Sequence, residues 1–275
     1  MAAGGLSIIR LRLIRLCMNN MKRHAIIIES GNVKGQDDLP GARLDFSNWL
    51  RFLKSELGGA WDEGAEISVF HKPDVAKVKK CLKEHLWDYV FVAFSGHGCQ
   101  YGESVYVCLN ESELTVNERD LTPTYGTVVL DCCRGPGGES GGMVVEAMDS
   151  AYGTFSFLNS QSAQSSLLNR YIRRTNIRSA FMREVSRHWS LNKVHMYACA
   201  KGQSAEEDSA AGGLYTTMLI GQAKAWGRKV GVGNLSHCYS TLDAHNAVVA
   251  ELRSLGSRQT PVYVPQNQKY PFAIK

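Results

Sequence analysis

Short apolar runs alternate with amphipathic stretches through the first third of the chain. His24-Ala25-Ile26-Ile27-Ile28-Glu29 is an unbroken apolar run between polar ends, which predicts a strand buried on both faces. A polar loop with Gly31, Gly35, Asp37 and Asp38 follows. Leu44, Phe46, Trp49, Leu50, Leu53 and Leu57 then recur at helical spacing, and Gly58-Gly59 is expected to end that helix. Glu66 to His71 predicts a second strand. Val75, Val78, Cys81, Leu82 and Leu86 predict a second helix, and Asp88 to Ser95 a third strand. This alternation implies right-handed crossovers and a mostly parallel sheet, so the fold class is α/β.

The pattern continues less regularly. Val105 to Leu109 predicts a short β element, and Thr127-Val128-Val129-Leu130 a buried strand running into Asp131-Cys132-Cys133-Arg134-Gly135. Residues 135 to 168, rich in Gly, Ser, Asn and Gln, read as loop. Ile177, Ala180, Phe181, Val185 and Trp189 predict an amphipathic helix ringed by Arg170, Arg173, Arg174, Arg178, Arg183 and Arg187. Val194 to Cys199 predicts another strand, ending in a polar, glycine-containing loop from Ala200 to Gly213. Helices are expected from Leu214 and from Leu242 to Leu255. Pro261 and Pro265 bracket a short run that suits an edge strand.

Composition narrows the class only a little. The 275 residues are 44% hydrophobic and 21% charged, ordinary for a globular protein with room for one large domain. A net charge of +5 is far from a nucleic-acid-binding extreme. No apolar run approaches the roughly 20 residues of a membrane span. The eight cysteines show neither a disulfide framework nor a zinc-type Cys/His spacing, so no metal site is expected, and the thiols fit a reducing, cytoplasmic setting. The segment Ile8 to Leu16 is basic and apolar, with arginines interrupting any signal-peptide core. Residues 1–21 are therefore set apart as an N-terminal extension. A transit-like or membrane-surface segment and a true start at Met18 or Met21 are the other readings.

The candidate chemistry lies at two strand ends. A thiol at the carboxyl end of a buried strand sits where open α/β sheets place their ligands. Phe94-Ser95-Gly96-His97-Gly98 ends its strand in the same manner, with an imidazole between glycines. A thiol titrates at roughly 8.5, and a neighbouring imidazole can take its proton, so Cys133 and His97 form a candidate nucleophile and base. The backbone N–H groups of Gly98 and Cys133 are candidate oxyanion donors. Either motif alone is more often structural than catalytic. The two together, at strand ends of one sheet, carry the reading.

These two blocks resemble the signatures of the caspase, metacaspase and paracaspase clan of cysteine peptidases. Further blocks extend the likeness: Leu39-Pro40-Gly41-Ala42-Arg43-Leu44-Asp45, Tyr197-Ala198-Cys199-Ala200-Lys201-Gly202-Gln203-Ser204-Ala205-Glu206, Gly212-Gly213-Leu214-Tyr215-Thr216 and Gln259-Thr260-Pro261-Val262. The resemblance covers about residues 22–275 and implies a single three-layer domain with a mostly parallel sheet of about six strands and helices on both faces. It divides into a large-subunit-like part (22–150), a loop or linker (about 135–178) and a small-subunit-like part (179–275). It implies that Cys133 is the nucleophile and His97 its partner, with Cys132 a buried neighbour. Asp45 and Asp131 match the positions of an acidic specificity pocket, as in metacaspase-like and prokaryotic members that cut after Arg or Lys.

The expected function is therefore a cysteine endopeptidase acting on peptides with Arg or Lys before the cut bond, with self-processing in a basic 170–178 loop and an activating protein partner as further expectations. The connection from His97 to Cys133 is shorter than the roughly 50 residues of caspases. Arg134 stands where metacaspases often have His. The acids of that connection, Glu103, Glu111, Glu113, Glu118 and Asp120, form no dense cluster, so no cofactor and no calcium requirement are expected. Two other classes compete: a catalytically silent or gated interaction module of the same fold, and a nucleic-acid surface on the arginines of 170–187. The latter stretch lacks a recognition motif and interleaved aromatic residues.

Overall fold

A computed structural model describes residues 21–136, 163–188, 193–230 and 237–275. The expectations for residues 1–20, for the 137–162 part of the loop or linker and for Trp189 lie outside them. In chain order the elements are β1 (Arg23–Ser30), α1 (Pro40–Lys54), β2 (Ile67–His71), α2 (Val75–Glu84), β3 (Tyr89–Gly96), β4 (Gly98–Tyr101), β5 (Ser104–Val107) and β6 (Val116–Asn117). They continue with β7 (Gly126–Asp131), α3 (Ala163–Arg187), β8 (Lys193–Tyr197), β9 (Glu207–Asp208), β10 (Gly212–Gly213) and α4 (Leu214–Lys229). Last come β11 (Cys238–Ser240), α5 (Thr241–Ser254), β12 (Val262–Val264) and β13 (Pro271–Ile274).

The central sheet has six strands in the order β12-β8-β7-β3-β1-β2. Every neighbouring pair is parallel except β12 with β8, which makes the proline-bracketed segment the antiparallel edge strand. Strand alternation sorts the buried side chains into two layers. Ala25, Ile27, Tyr89, Phe91, Ala93 and Val129 face a core shared with Trp49 of α1, Phe181 of α3, Leu219 of α4 and Val248 of α5. Ile26, Ile28, Val90, Val92, Phe94, Val128 and Leu130 face the other way, onto Val78 and Cys81 of α2 and onto Val105 and Val107 of β5. Helices thus cover both faces, giving the expected α/β three-layer sandwich.

Three expectations are corrected. The helix opened by Pro40 stops at Lys54 rather than at Gly58-Gly59, because Ser55 turns extended and its hydroxyl bridges Phe52 O at 2.6 Å and Gly58 N at 3.1 Å. The connection after His97 holds a three-stranded sheet, β4-β5-β6, of which only the β5 region was legible. The segment 170–178 is no loop: it lies inside the 25-residue helix α3, which already begins at Ala163.

Three of the six arginines of α3 bond to the end of α1 and to the connection from α1 to β2. Arg173 pairs with Glu56 at 2.7 Å, Arg178 with Glu66 at 2.7 Å, and Arg174 Nη1 donates to Lys54 O at 3.1 Å. A peptidase substrate must lie extended, and these bonds hold the segment helical. The same pairing spends much of the positive charge that a nucleic-acid surface would need. Among the described residues no helix is long and apolar enough to cross a membrane.

Candidate active site

Parallel topology puts the carboxyl ends of β3 and β7 side by side, with Ser95 opposite Asp131 in register. The alternation that sends Leu130 and Cys132 into the α2-side core turns Asp131 toward α1. Cys132 is buried, whereas Cys133, one residue on, is half-buried and lines a cavity of about 500 Å³. His97, Gly98 and Asp131 line the same cavity, so the structure brings the sequence-selected thiol, imidazole and carboxylate together.

His97 Nε2 lies 2.7 Å from the carbonyl oxygen of Asp37. A carbonyl can only accept, so Nε2 carries a proton, and in the neutral ring Nδ1 has the lone pair. The Cys133 thiol sits 4.0 Å from Ala205 O, the outer limit for a sulfur donor. Burial raises its pKa, and the nearby Asp131 and Glu207 carboxylates add to the rise against hydrogen bonds from the Ala205 and Ser204 region. The rise favours the thiol over the thiolate at Cys133, so any attack by this sulfur would require a base. Gly98 packs onto the nucleophile turn: a Cβ there would stand 2.6 Å from Cys132 Sγ and 3.0 Å from Cys133 O, so only glycine allows this approach.

Asp45, on α1, is fully buried and does not line the cavity itself. Its carboxylate accepts from Ser95 Oγ at 2.6 Å and from Gly213 N at 2.9 Å. Asp131 Oδ2 accepts from Thr216 N at 3.0 Å. The two carboxylates close on Gly213 from either side, where any Cβ would collide with both. Burial raises the pKa of Asp45, and the charge of Asp131 raises it further. Burial likewise pushes Asp131 up to about 6. Among the described residues neither carboxylate has a lysine or arginine partner. The cavity is also lined by Asp37, Asp38, Glu206 and Glu207, and by no lysine or arginine.

Several of these groups escaped the sequence reading. Asp37 acts through its carbonyl, which no side-chain pattern reveals. Ser95 was visible before Gly96-His97-Gly98, but its bond to Asp45 needed the fold. The run Glu206-Glu207-Asp208 was a legible signal of an acidic rim. Its Glu207 packs against the start of α1 at Gly41, and its pKa is raised by burial and then by Asp131. Gln259 fixes this rim: buried, it donates to Ala198 O at 2.8 Å and accepts from Glu206 N at 2.7 Å.

Arg134 locks the turn that carries the thiol. Its Nε donates to Gln100 Oε1 at 2.9 Å, its Nη1 to Cys199 O at 3.1 Å, and its guanidinium stands 4.3 Å over the Tyr197 ring. Of the acids considered for calcium, Glu103 pairs with Lys201, Glu111 with Lys72 and Asp120 with Lys79.

An α/β three-layer sandwich with Cys and His at adjacent strand ends has the form of a cysteine peptidase of the caspase type. A family model described as the caspase domain matches residues 22–272, and the chain belongs to that family of cysteine peptidases, which act on protein substrates. Among solved structures the fold is similar to the crystal structure of caspase-1 from Spodoptera frugiperda, with a TM-score of 0.55, 11% identity and 93% of each chain covered. No curated protein matches the sequence closely enough to count as a relative.

Proposed function

We propose that the chain is an endopeptidase in which Cys133 is the nucleophile and His97 the general acid and base, cutting after Arg or Lys. His97, with its proton held on Nε2 by Asp37 O, takes the Cys133 proton on Nδ1 as sulfur attacks the scissile carbonyl. The oxyanion is met by the N–H groups of Gly98 and Cys133. The proton on Nδ1 passes to the leaving amine, and an acyl-enzyme remains. Water, deprotonated by His97, then releases the new carboxyl group.

The specificity reading rests on one observation, the buried Asp45–Asp131 pair without a cation. Two buried like charges raise each other's pKa and are costly to ionise. A guanidinium or ammonium entering beside Asp131 would supply the missing countercharge through charge-assisted hydrogen bonds. Asp45, bonded to Ser95 and Gly213, holds the pocket wall and adds negative potential. The ion-paired acids of the β3–β7 connection favour catalysis without calcium.

The test compares peptides differing only in Arg, Lys or Asp before the cut bond, each with and without calcium, on the wild-type chain and Cys133→Ala. The proposal expects turnover of the Arg and Lys peptides in both conditions and none in the variant. Cleavage after Asp would overturn the pocket assignment. Persistent cleavage in Cys133→Ala would overturn the nucleophile, and no cleavage of any peptide would favour an interaction module.

A further inference from the structure

At the opposite end of the sheet, His24 meets the neighbouring pair Cys81 and His85. One ligand-capable atom from each of His24 on β1, Cys81 on α2 and His85 after α2 lies within 4.8 Å of the other two. His24 is the second residue of β1, whose last residue, Ser30, pairs with Gly96 beside the catalytic histidine. At about 3.3 Å per residue the cluster lies roughly 20 Å from the active site. No part of the peptidase chemistry uses it.

Hydrogen bonds fix how each member of the cluster sits. His85 Nδ1 lies 2.8 Å from Asp88 Oδ2, so the bond to the carboxylate uses Nδ1 and leaves Nε2 as the nitrogen available to a ligand. Asp88 is itself held by Lys22 N at 3.1 Å. A carboxylate behind an imidazole is the usual second layer of a histidine metal ligand. His24 Nε2 lies 2.9 Å from Ser68 Oγ, and its Nδ1 is buried with no hydrogen-bond partner, in a residue only 6% exposed. The Cys81 thiol, 3.6 Å from the same Ser68 oxygen, completes the set.

We propose that His24, Cys81 and His85 form a site for a zinc-like divalent transition ion, which would tie β1 to α2 and the turn before β3. One thiolate and two imidazoles suit such an ion, with water or Ser68 Oγ left for a fourth position. On binding, Cys81 exchanges its S–H proton for the metal–sulfur bond, and the proton leaves to solvent. The two rings are stacked 3.7 Å apart, so loading requires one ring to turn. His85, with its side chain 24% exposed, is the member of the cluster that borders solvent and marks the entry path. No zinc spacing was legible because the fold, not the sequence, brings residue 24 to residues 81 and 85.

The experiment uses the full chain carrying Cys133→Ala, which removes the catalytic thiol as a competing ligand, and titrates it with Co²⁺ and Zn²⁺. One equivalent of Co²⁺ is expected to produce thiolate-to-cobalt absorption in the near ultraviolet and visible bands of a four-coordinate ion. Zinc should displace it and raise Tm. Adding Cys81→Ser should abolish the charge-transfer band. Adding His85→Ala, a partly exposed position that leaves the core intact, should weaken binding by about 100-fold, and Asp88→Asn by roughly 10-fold. An absent cobalt spectrum in the Cys133→Ala chain, or one unchanged by both Cys81→Ser and His85→Ala, would overturn the proposal.

Discussion

Asp131 carries a carboxylate where water scarcely reaches, and its proton affinity records that. Burial lifts it to about 6 in the folded chain, against roughly 3.9 when unfolded. The folded state therefore keeps a proton that the unfolded state has released as pH climbs from about 4 to 6. Stability is lost across that window. Asp131→Asn should thus raise Tm at pH 7.5 by roughly 2 °C or more while lowering kcat/KM for an Arg peptide by at least about 100-fold. Calorimetry and kinetics on one preparation check both halves, and a variant that loses stability would contradict the account. Under the proposed specificity the same ionisation would govern binding. The kcat/KM for Arg peptides should fall as pH drops through about 6, whereas the acid limb of kcat should lie lower, because a bound cation holds Asp131 ionised.

At the scale of elements, the turn after β7 matters most. Arg134 joins it to Gln100 on β4, to Cys199 and to the Tyr197 ring, so Arg134→Ala should loosen the thiol without emptying the specificity pocket. A drop in kcat of about 100-fold with little change in KM is expected, and an unchanged kcat would remove Arg134 from the machinery. Helix α3 sets a second expectation. Between Arg134 and Arg170 the sequence holds no lysine or arginine, and from Arg170 to Arg178 the backbone is helical. An enzyme specific for Arg or Lys finds no extended basic site there. Intact mass of the active wild-type chain should therefore show no Cys133-dependent cut between residues 135 and 178.

Over the whole molecule, what was legible follows from period and burial. β1, β3 and β7 are buried on both faces, so unbroken apolar runs such as Ala25 to Ile28 announced them. His97 and Cys133 were legible because each follows such a run directly. Strands β4 and β6 are short, and half of β4 is solvent-facing, so they left no pattern. The β11–β13 pair escaped because its stability comes from burying Phe272 and Ala273 against distant helices. The start of α3 was missed because Ser, Asn and Gln suit helix and loop alike. The pocket was half legible: Asp45 and Asp131 stood in matching blocks, but the carbonyl of Asp37 and the closeness of Gly213 exist only once α1, β7 and β10 meet.

The central claim joins one thiol to one pocket, and active-site labelling tests both at once. The full-length chain would be treated with peptidyl electrophiles identical except for Arg or Asp at the position before the reactive carbonyl, and the adduct located by peptide mass spectrometry. The account predicts rapid single labelling of Cys133, and not of the buried Cys132, by the Arg reagent, suppressed in His97→Ala and strongly slowed in Asp131→Asn. Preferential labelling by the Asp reagent, or an adduct on any other cysteine, would contradict it.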